Sequence, residues 1–346
     1  MRKADSGGNL RINIENRKEL NDYLVKHQQF QKDELTGFQL LSGGVSNRTV
    51  MVRLASGKAW VIKQALEKLR VKTDWFCDPA RIFREAEAVR FLHARVPQAR
   101  VPRFCFEDPE NYLLGMESIP EPHQVWKSEL LKGQVDAELV IQFAEMLAGI
   151  HGCSMETPGL PEVFSDKTYF EALRLEPYYG YAASQIPKAE TFFQELMEST
   201  RHENRFLVHG DFSPKNILAH QKKLHLIDHE VIHLGDGAFD LGFALTHLLA
   251  KSLHVPGHRV TFREACHLFA DRYLQSVSSV SKFSGIEERW IKHTLGCLLA
   301  RIHGRSPLEY LKDSERAAIN EKTLECLDRI PSDIHTLIDR MTWQPS

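Results

Sequence analysis

Several features that would place a protein in a special class are scarce in this sequence. Its 346 residues include six cysteines, none of them in a C-x-x-C pair, and its 44 lysines and arginines nearly balance 46 aspartates and glutamates. Scattered cysteines favour reduced thiols over a disulfide framework or a cysteine-based zinc site. A formal net charge of −2 gives no large field to attract nucleic acid or an anionic membrane. We therefore expect neither of these partners.

Long apolar runs are also lacking. The opening residues, MRKADSGGN, have no apolar stretch behind their basic pair, so we expect no secretory signal. The most apolar later stretches, Leu241–Ala250 and Leu295–Ala300, are shorter than the roughly 20 residues that span a bilayer. What is present, 42% apolar and 26% charged residues, is typical of an ordinary folded protein. The sequence predicts a soluble, cytoplasmic protein.

The chain is long enough to predict two lobes, because a single hydrophobic core usually stops growing near this length. Short strand-like segments and glycine turns, with one clear helix, occupy 36–118, and helical periodicity dominates after Pro120 and Pro122. We predict an N-terminal helical extension over 1–35, a nucleotide-binding lobe over 36–118 and a helical catalytic lobe over 119–346. The fold class is α+β, with an antiparallel sheet and one main helix in the smaller lobe.

The most informative segment begins with His209-Gly-Asp211 after an apolar stretch. Asn216 follows five residues after Asp211, and Asp228 follows seventeen residues after it, at the end of another strand-like stretch. This spacing matches the phosphoryl-transfer template, in which one aspartate faces the attacking hydroxyl. In that template Asp211 is the catalytic base, and Asn216 and Asp228 hold magnesium, a cation that prefers oxygen ligands. Glu230 either binds a second cation or pairs with a loop lysine.

The nucleotide-binding half of the template is predicted further upstream. Glycines between two strands let backbone N–H groups approach phosphate oxygens, and Lys63 at a strand end would contact the α- and β-phosphates. Glu85 is the expected partner of Lys63, with Glu87 as the alternative, because sequence alone does not fix helix phase to one residue. Adenine should lie against the segment that joins the lobes. The remaining candidate residues are Ser42, Gly43, Gly44, Ser46 and Asn47 in the loop and Met116, Glu117 and Ile119 in the joining segment.

With these residues in place, the sequence resembles the aminoglycoside phosphotransferase and choline kinase-like superfamily. The motif H-G-D-x-x-x-x-N stands at His209–Asn216, I-D-x-E/D at Ile227–Glu230, and G-D-x-x-x-D-L at Gly235–Leu241. Gly210 occupies the place where protein kinases usually keep arginine, and D-F-G, A-P-E and G-x-G-x-x-G motifs are absent. The resemblance implies a bilobal protein-kinase-like fold, ATP and Mg²⁺ as cofactors, and a small-molecule hydroxyl as acceptor.

A narrower resemblance in the smaller lobe is to methylthioribose kinases. It rests on Val61–Leu66, Trp75 and Arg81. Two departures concern the active site and the acceptor: those kinases carry a small residue in the place of Asn216, and their tandem-arginine motif has no counterpart here. The nearest cationic group contains Arg301 and Arg305. The resemblance thus implies the reaction and the nucleotide site, and not the acceptor.

The sequence therefore predicts an ATP- and magnesium-dependent kinase for a hydroxyl of a sugar-like or related small metabolite. One alternative is an aminoglycoside phosphotransferase, but the final third mixes acidic and basic residues, which favours a neutral or anionic polyol over a polycation. The other alternative is a pseudokinase that binds nucleotide without turnover. It is disfavoured because all the template residues are retained: Lys63, Glu85, Asp211, Asn216 and Asp228.

Overall fold

The computed structural model describes residues 11–31, 33–41, 44–72, 74–156, 160–278 and 283–342. The described residues divide into two compact units. The first unit combines Met1–Ala86 with Arg103–Ser118, and the second combines Glu87–Pro102 with Ile119–Ser346. Compactness does not test independent folding, so the predicted domain bounds stay a prediction.

The first unit is built on a five-stranded antiparallel sheet in the order β1-β2-β3-β5-β4. Alternating apolar residues give β2 a buried face, on which Val50 and Val52 are fully buried. The five strands and the helix α2, which follows β3, lie in the region where the sequence predicts short strand-like segments and one clear helix. The elements are β1 (Leu35–Leu40), β2 (Asn47–Leu54), β3 (Ala59–Ala65), α2 (Arg81–Arg95), β4 (Phe104–Asp108) and β5 (Leu113–Glu117).

The N-terminal helix, α1 (Arg17–Lys26), packs into the core of this sheet. It begins at Asn16, whose side chain accepts hydrogen bonds from the backbone N–H groups of Lys18 and Glu19. Leu20 and Leu24, one turn apart, are fully buried. The helical periodicity of the sequence therefore marks a face that contributes to the core of the first unit.

The second unit is mainly helical, with one two-stranded sheet and one three-stranded sheet. Its helices are α3 (Trp126–Leu130), α4 (Ala137–Glu156), α5 (Thr168–Phe170), a π-helix (Glu171–Gly180), α6 (Tyr181–Gln185), α7 (Glu190–His202), α8 (Gly237–His254), α9 (Arg259–Val277), α10 (Ile286–His303), α11 (Asp313–Asp328) and α12 (Ile334–Thr342). Its strands are β6 (Gln124–Val125), β7 (Phe206–Val208), β8 (Ile217–His220), β9 (Lys223–Leu226) and β10 (His233–Gly235). Strand β7 pairs with β10, and β8 lies between β6 and β9.

Helix α8 is the centre of the second unit, because every residue from Gly237 to Leu253 is buried. It approaches α10 closely at Gly242, where an added Cβ would lie 2.6 Å from the backbone carbon of His293. Although α8 is strongly apolar, none of the helices in the described ranges is both long enough and apolar enough to cross a bilayer. The helix instead provides a fixed base for the loop that carries the predicted catalytic residues.

Candidate active site

The loop after β7 is held on helix α8 by a buried carboxylate. Asp240 is fully buried, and its two oxygens accept the backbone N–H groups of His209 at 2.6 Å and of Gly210 at 2.8 Å. The imidazole of His151 lies 3.5 Å from the same carboxylate. Hydrogen bonds from backbone N–H groups to a charged carboxylate are stronger than neutral ones. The backbone that leads into Asp211 is therefore fixed in place.

Gly210 is required by the shape of this loop. Its φ of +77° lies in the left-handed region, and an added Cβ would lie 2.8 Å from Cγ2 of Val231. Both the backbone conformation and the close approach exclude a larger residue without a shift of the surroundings. The shape of this loop therefore requires glycine at position 210.

The Asp211 carboxylate is oriented by Asn216. The Asn216 amide Nδ2 donates to the backbone oxygen of Asp211 at 3.0 Å and to its carboxylate Oδ2 at 2.8 Å. Asn216 ends a short 3₁₀ turn that begins at Pro214 and places the amide opposite Asp211. Both residues are buried: Asp211 is 6% exposed and Asn216 is 3% exposed. Since Nδ2 faces Asp211, the amide oxygen Oδ1 points away and is available as an acceptor.

The sequence analysis did not identify a basic side chain that contacts Asp211. Arg174, on the π-helix, places Nη2 2.8 Å from Oδ2 of Asp211 and donates from Nε to the backbone oxygen of Gly210 at 3.0 Å. Burial opposes its charge, but the nearby charge of Asp211 and those of Glu230 and Asp228 hold the pKa of Arg174 above its ordinary value. The Asp211 carboxylate therefore faces a permanently charged guanidinium.

Asp228 and Glu230 follow strand β9. Asn216 directly precedes strand β8, which pairs with β9 in a hairpin. The backbone N–H of Ile227 donates to the backbone oxygen of Asn216 at 3.0 Å, which brings the two predicted metal-binding segments side by side. Asp228 has a φ of +71°, an uncommon conformation that clusters at functional sites. Within the described ranges, no three His, Cys, Asp or Glu side chains are grouped as metal ligands. A cation here would therefore need other oxygen donors as well.

His209 serves the loop as a neutral acceptor. The backbone N–H of Asp211 donates to its Nδ1 at 3.2 Å, so the ring proton belongs on Nε2. Burial lowers the pKa of His209, which agrees with an uncharged ring. Its contact is with the backbone of Asp211, and the histidine thus shapes the turn beside the carboxylate.

In the first unit, Lys63 and Glu85 form the buried pair that the sequence suggested. Nζ of Lys63 lies 2.6 Å from Oε1 of Glu85, which is fully buried. Glu87, the alternative partner, instead lies 3.3 Å from Arg90 on the more exposed side of α2. The helix phase that the sequence left open therefore selects Glu85 as the contact of Lys63.

The predicted phosphate loop is described only in part. Ser42 and Gly43 lie outside the described residues, whereas Gly44 lies at the end of the loop, and Ser46 and Asn47 are buried where β2 begins. Arg81 anchors this end of the loop: its Nη2 donates to the backbone oxygens of Ser46 at 2.5 Å and Leu66 at 2.9 Å. The fully buried guanidinium of Arg81 thus holds the loop and the end of β3 together.

The three residues predicted to face adenine do not all belong to one unit. Met116 and Glu117 are the last residues of β5 in the first unit, where Met116 is buried and Glu117 donates its backbone N–H to Arg103. Ile119 begins a segment of the second unit and is 7% exposed. Their contact with a nucleotide stays a prediction.

A family model for a phosphotransferase enzyme family, APH, matches residues 37–269, about two thirds of the chain. The chain belongs to this phosphotransferase family. The match begins within β1 and ends within α9, so it contains both the Lys63–Glu85 pair and the Asp211 loop. Helices α10–α12 lie beyond it. The family resemblance stated from the sequence is thereby confirmed.

Curated relatives agree with this family assignment. The chain is 27% identical over 230 residues to a methylthioribose kinase of Pectobacterium atrosepticum and 26% identical over 270 residues to one of Pectobacterium carotovorum. These matches cover 57% and 68% of this chain, but less than two thirds of either relative, 55% and 66%.

A choline kinase from Cryptosporidium parvum has a similar fold, with a TM-score of 0.58 at 11% identity. The alignment covers 93% of this chain and 99% of the choline kinase chain. At this identity the likeness concerns the fold alone. It confirms the predicted bilobal, kinase-like α+β fold.

Proposed function

We propose that this protein is an ATP- and Mg²⁺-dependent kinase that transfers the γ-phosphoryl group to a hydroxyl of a sugar-like small metabolite. The observation that carries the proposal is the setting of Asp211. One of its oxygens, Oδ2, is held by both Asn216 and Arg174, and its loop is fixed by Asp240. Among the described residues no donor contacts Oδ1. The carboxylate thus presents a fixed, open acceptor.

In the proposed reaction Oδ1 of Asp211 accepts the hydrogen bond of the acceptor hydroxyl and takes its proton as the phosphoryl group is transferred. Phosphoryl transfer needs little covalent help, so alignment of the hydroxyl supplies much of the rate. The O–H bond breaks and an O–P bond forms to the γ-phosphorus, while the bond from that phosphorus to the β-phosphate oxygen breaks. Arg174 stays charged throughout and fixes the other oxygen of the base.

The donor set fits magnesium. Asn216 directs its amide nitrogen to Asp211, which leaves the amide oxygen of Asn216 for a cation. Asp228 adds a carboxylate on the neighbouring segment. Oxygen ligands that include nucleotide phosphates are what Mg²⁺ prefers. When bound, the ion would neutralise charge on the phosphates. Glu230 would either join a second cation or act through the charge of Arg174.

The buried Lys63–Glu85 pair supports a nucleotide-binding role for the first unit. A lysine held by one carboxylate keeps its ammonium group charged and oriented, and an ammonium group is a strong partner for phosphate oxygens. Lys63 would contact the α- and β-phosphates. Gly44, Ser46 and Asn47 would line the phosphate loop, together with Ser42 and Gly43, and Met116, Glu117 and Ile119 would face the adenine.

A sugar-like acceptor is supported by the methylthioribose kinases among the relatives. The test is Mg²⁺-dependent ADP release with a panel of methylthioribose, neutral and acidic ribose-type sugars, amino alcohols and aminoglycosides. The Asp211→Asn variant runs beside the parent protein. We expect a sugar to stimulate release and the variant to lose that stimulation. Binding of Mg-ATP without turnover on any panel member would favour the pseudokinase alternative. Stimulation by aminoglycosides alone would favour the antibiotic kinase.

A further inference from the structure

A group of basic side chains in the second unit has a single carboxylate in ion-pair contact among the described residues. The group, which we call the cationic cluster, consists of Lys127, His247, Lys251 and Arg301. Lys251 is fully buried, and within the described part of the chain its Nζ donates to one oxygen, the backbone carbonyl of His247 at 2.9 Å. The one carboxylate in ion-pair contact with the cluster, Glu309, binds Lys127 at its more exposed edge.

Arg301 has the same deficit. Its side chain is 8% exposed, and its Nη1 donates to neutral oxygens, the hydroxyl of Tyr178 at 3.2 Å and the side chain of Ser306 at 3.0 Å. Its buried Nε has no partner, and no carboxylate pairs with it, in the described ranges. A buried charge without a counter-charge is costly, because burial removes its hydration and nothing replaces it.

Two further polar atoms of this region are buried without partners in the described ranges. Nε2 of His247 makes no hydrogen bond, and neither does the hydroxyl of Tyr310, whose ring lies 5.4 Å from Nζ of Lys251. Burial, reinforced by the charges of Lys251, Arg301, Lys127 and Lys215, lowers the pKa of His247 well below its ordinary value. Buried polar atoms without a partner call for an explanation such as a bound ion, and the neighbouring basic side chains favour an anion.

The cluster continues to the catalytic aspartate through one aromatic ring. The Cζ atoms of Arg174 and Arg301 lie 5.9 Å and 5.4 Å from the ring centroid of Tyr178, and Arg174 contacts Asp211. On α8, Phe243, His247 and Lys251 follow Asp240 at spacings of three or four residues, which places them along one face of the helix. The same helix therefore fixes the catalytic loop and carries two members of the cluster.

Resting on the kinase function proposed above, we propose that the cationic cluster binds an anionic group of the acceptor, a phosphate or a carboxylate, while the acceptor hydroxyl faces Asp211. The acceptor is thus an acidic sugar-like compound and not a neutral sugar or a polycation. Arg301 and Tyr310 lie beyond the part that matches the family model.

The test measures binding without nucleotide and without turnover. Calorimetry with ribose, ribose 5-phosphate, ribonate and inorganic phosphate compares a neutral compound with two kinds of anion. We expect at least one anion to bind about tenfold or more tightly than ribose, as charge-assisted hydrogen bonds are the strong ones. Tighter binding of ribose 5-phosphate would identify the anionic group as a phosphate, and tighter binding of ribonate would identify it as a carboxylate.

The Arg301→Gln variant should lose that preference, and Arg305→Gln is its matched control, because Arg305 is an exposed arginine four residues further on. Lys251→Met should lose it as well. Should a variant fail to fold, the other still reports. Equal binding of ribose and all anions, or a preference for the anion that survives in Arg301→Gln and Lys251→Met, would overturn the proposal.

This outcome is separate from the fate of the kinase proposal. An anion preference that depends on Arg301 and an absence of ADP release would leave the binding site and remove the reaction. Turnover of neutral sugars that is insensitive to both variants would keep the reaction and remove the acidic acceptor.

Discussion

Buried cations at two sites, one in each unit, have opposite kinds of partner. In the first unit, Lys63 has a carboxylate partner 2.6 Å away, so its charge is balanced before any ligand arrives. In the second unit, Lys251 and Arg301 are buried with neutral oxygens as their hydrogen-bond partners among the described residues. A balanced pair costs little to keep and presents the same group to every nucleotide. An unbalanced cluster carries a cost that a matching anion relieves. The first arrangement suits a common cosubstrate, and the second suits selection of an acceptor.

The largest effect is expected from Asp228→Ala, because the variant removes a proposed magnesium ligand from the second unit. We expect kcat/KM to fall about a thousandfold, since a metal ion at a transferring phosphoryl group is worth several kcal/mol. The measurement is ADP release and nucleotide binding as functions of Mg²⁺ concentration. Glu230→Gln, run in parallel, distinguishes a second cation from a charge partner of Arg174. If Asp228→Ala bound Mg-ATP as well as the parent protein, the metal assignment would be wrong.

The balanced pair of the first unit is broken by Glu85→Gln. This change removes the carboxylate that lies 2.6 Å from Nζ of Lys63, and loss of one partner of a buried ion pair costs several kcal/mol. We expect kcat/KM for ATP to fall about a hundredfold. Glu87→Gln is the matched control two residues along the same helix, where the carboxylate pairs with Arg90 nearer the surface. Equal losses in the two variants would show that the pair has no role in nucleotide binding.

A smaller effect is expected from Arg174→Lys in the second unit. Lysine keeps the charge beside Asp211 but cannot reproduce the hydrogen bonds from Nε and Nη2 at once. We expect kcat to fall about tenfold with little change in the KM for ATP, since hydrogen bonds to charged groups are worth about 1.5–3 kcal/mol. Arg201→Lys serves as the control. Arg201, on α7, pairs at the protein surface with Glu171, which is the first residue of the same π-helix. A change in the KM for ATP alone would contradict the assignment.

Most of the fold could be predicted from the sequence, because local residue patterns indicate individual strands and helices. Apolar alternation and glycine turns located the five strands of the first unit, and helical periodicity located α8 and α10 within a few residues. The π-helix was missed, because Pro177 inside it interrupts the helical pattern that a sequence reader looks for. Arg174 was missed along with it, because it reaches Asp211 from a segment with no motif of its own.

The candidate site was predictable where function demands a fixed spacing, as between Asp211 and Asn216. It was not predictable where three-dimensional packing decides. Glu85 and Glu87 lie two residues apart and face different neighbours, and that choice depends on helix phase. Arg301 and Arg305 are likewise only four residues apart in the sequence, but Arg301 is buried beside Tyr178 and Arg305 is exposed. Counterion balance, the property that separates the Lys63 site from the cationic cluster, depends on contacts between residues far apart in the chain.

The last effect sharpens the comparison through stability and pH. Burial, reinforced by the charges of Lys127 and Arg301, lowers the pKa of Lys251 to about 7, whereas in the unfolded chain it is about 10.4. Between these values the unfolded state binds one proton more than the folded state, so stability rises with pH across that window. Below it the full cost of the buried charge is present.

Lys251→Met removes this cost, so the variant should be more stable than the parent by roughly 1–4 kcal/mol below pH 7. The gain should shrink as the pH rises through the window, and urea unfolding at a series of pH values measures it. Lys292→Met, on the surface of α10 with Glu288 as partner, should show no such trend. An anion that binds the cluster keeps Lys251 protonated, so its affinity should fall above pH 7, and its presence should erase the advantage of the methionine variant. A parent protein whose stability is flat across this range would mean that Lys251 is not an uncompensated charge, and the contrast between the two units would no longer hold.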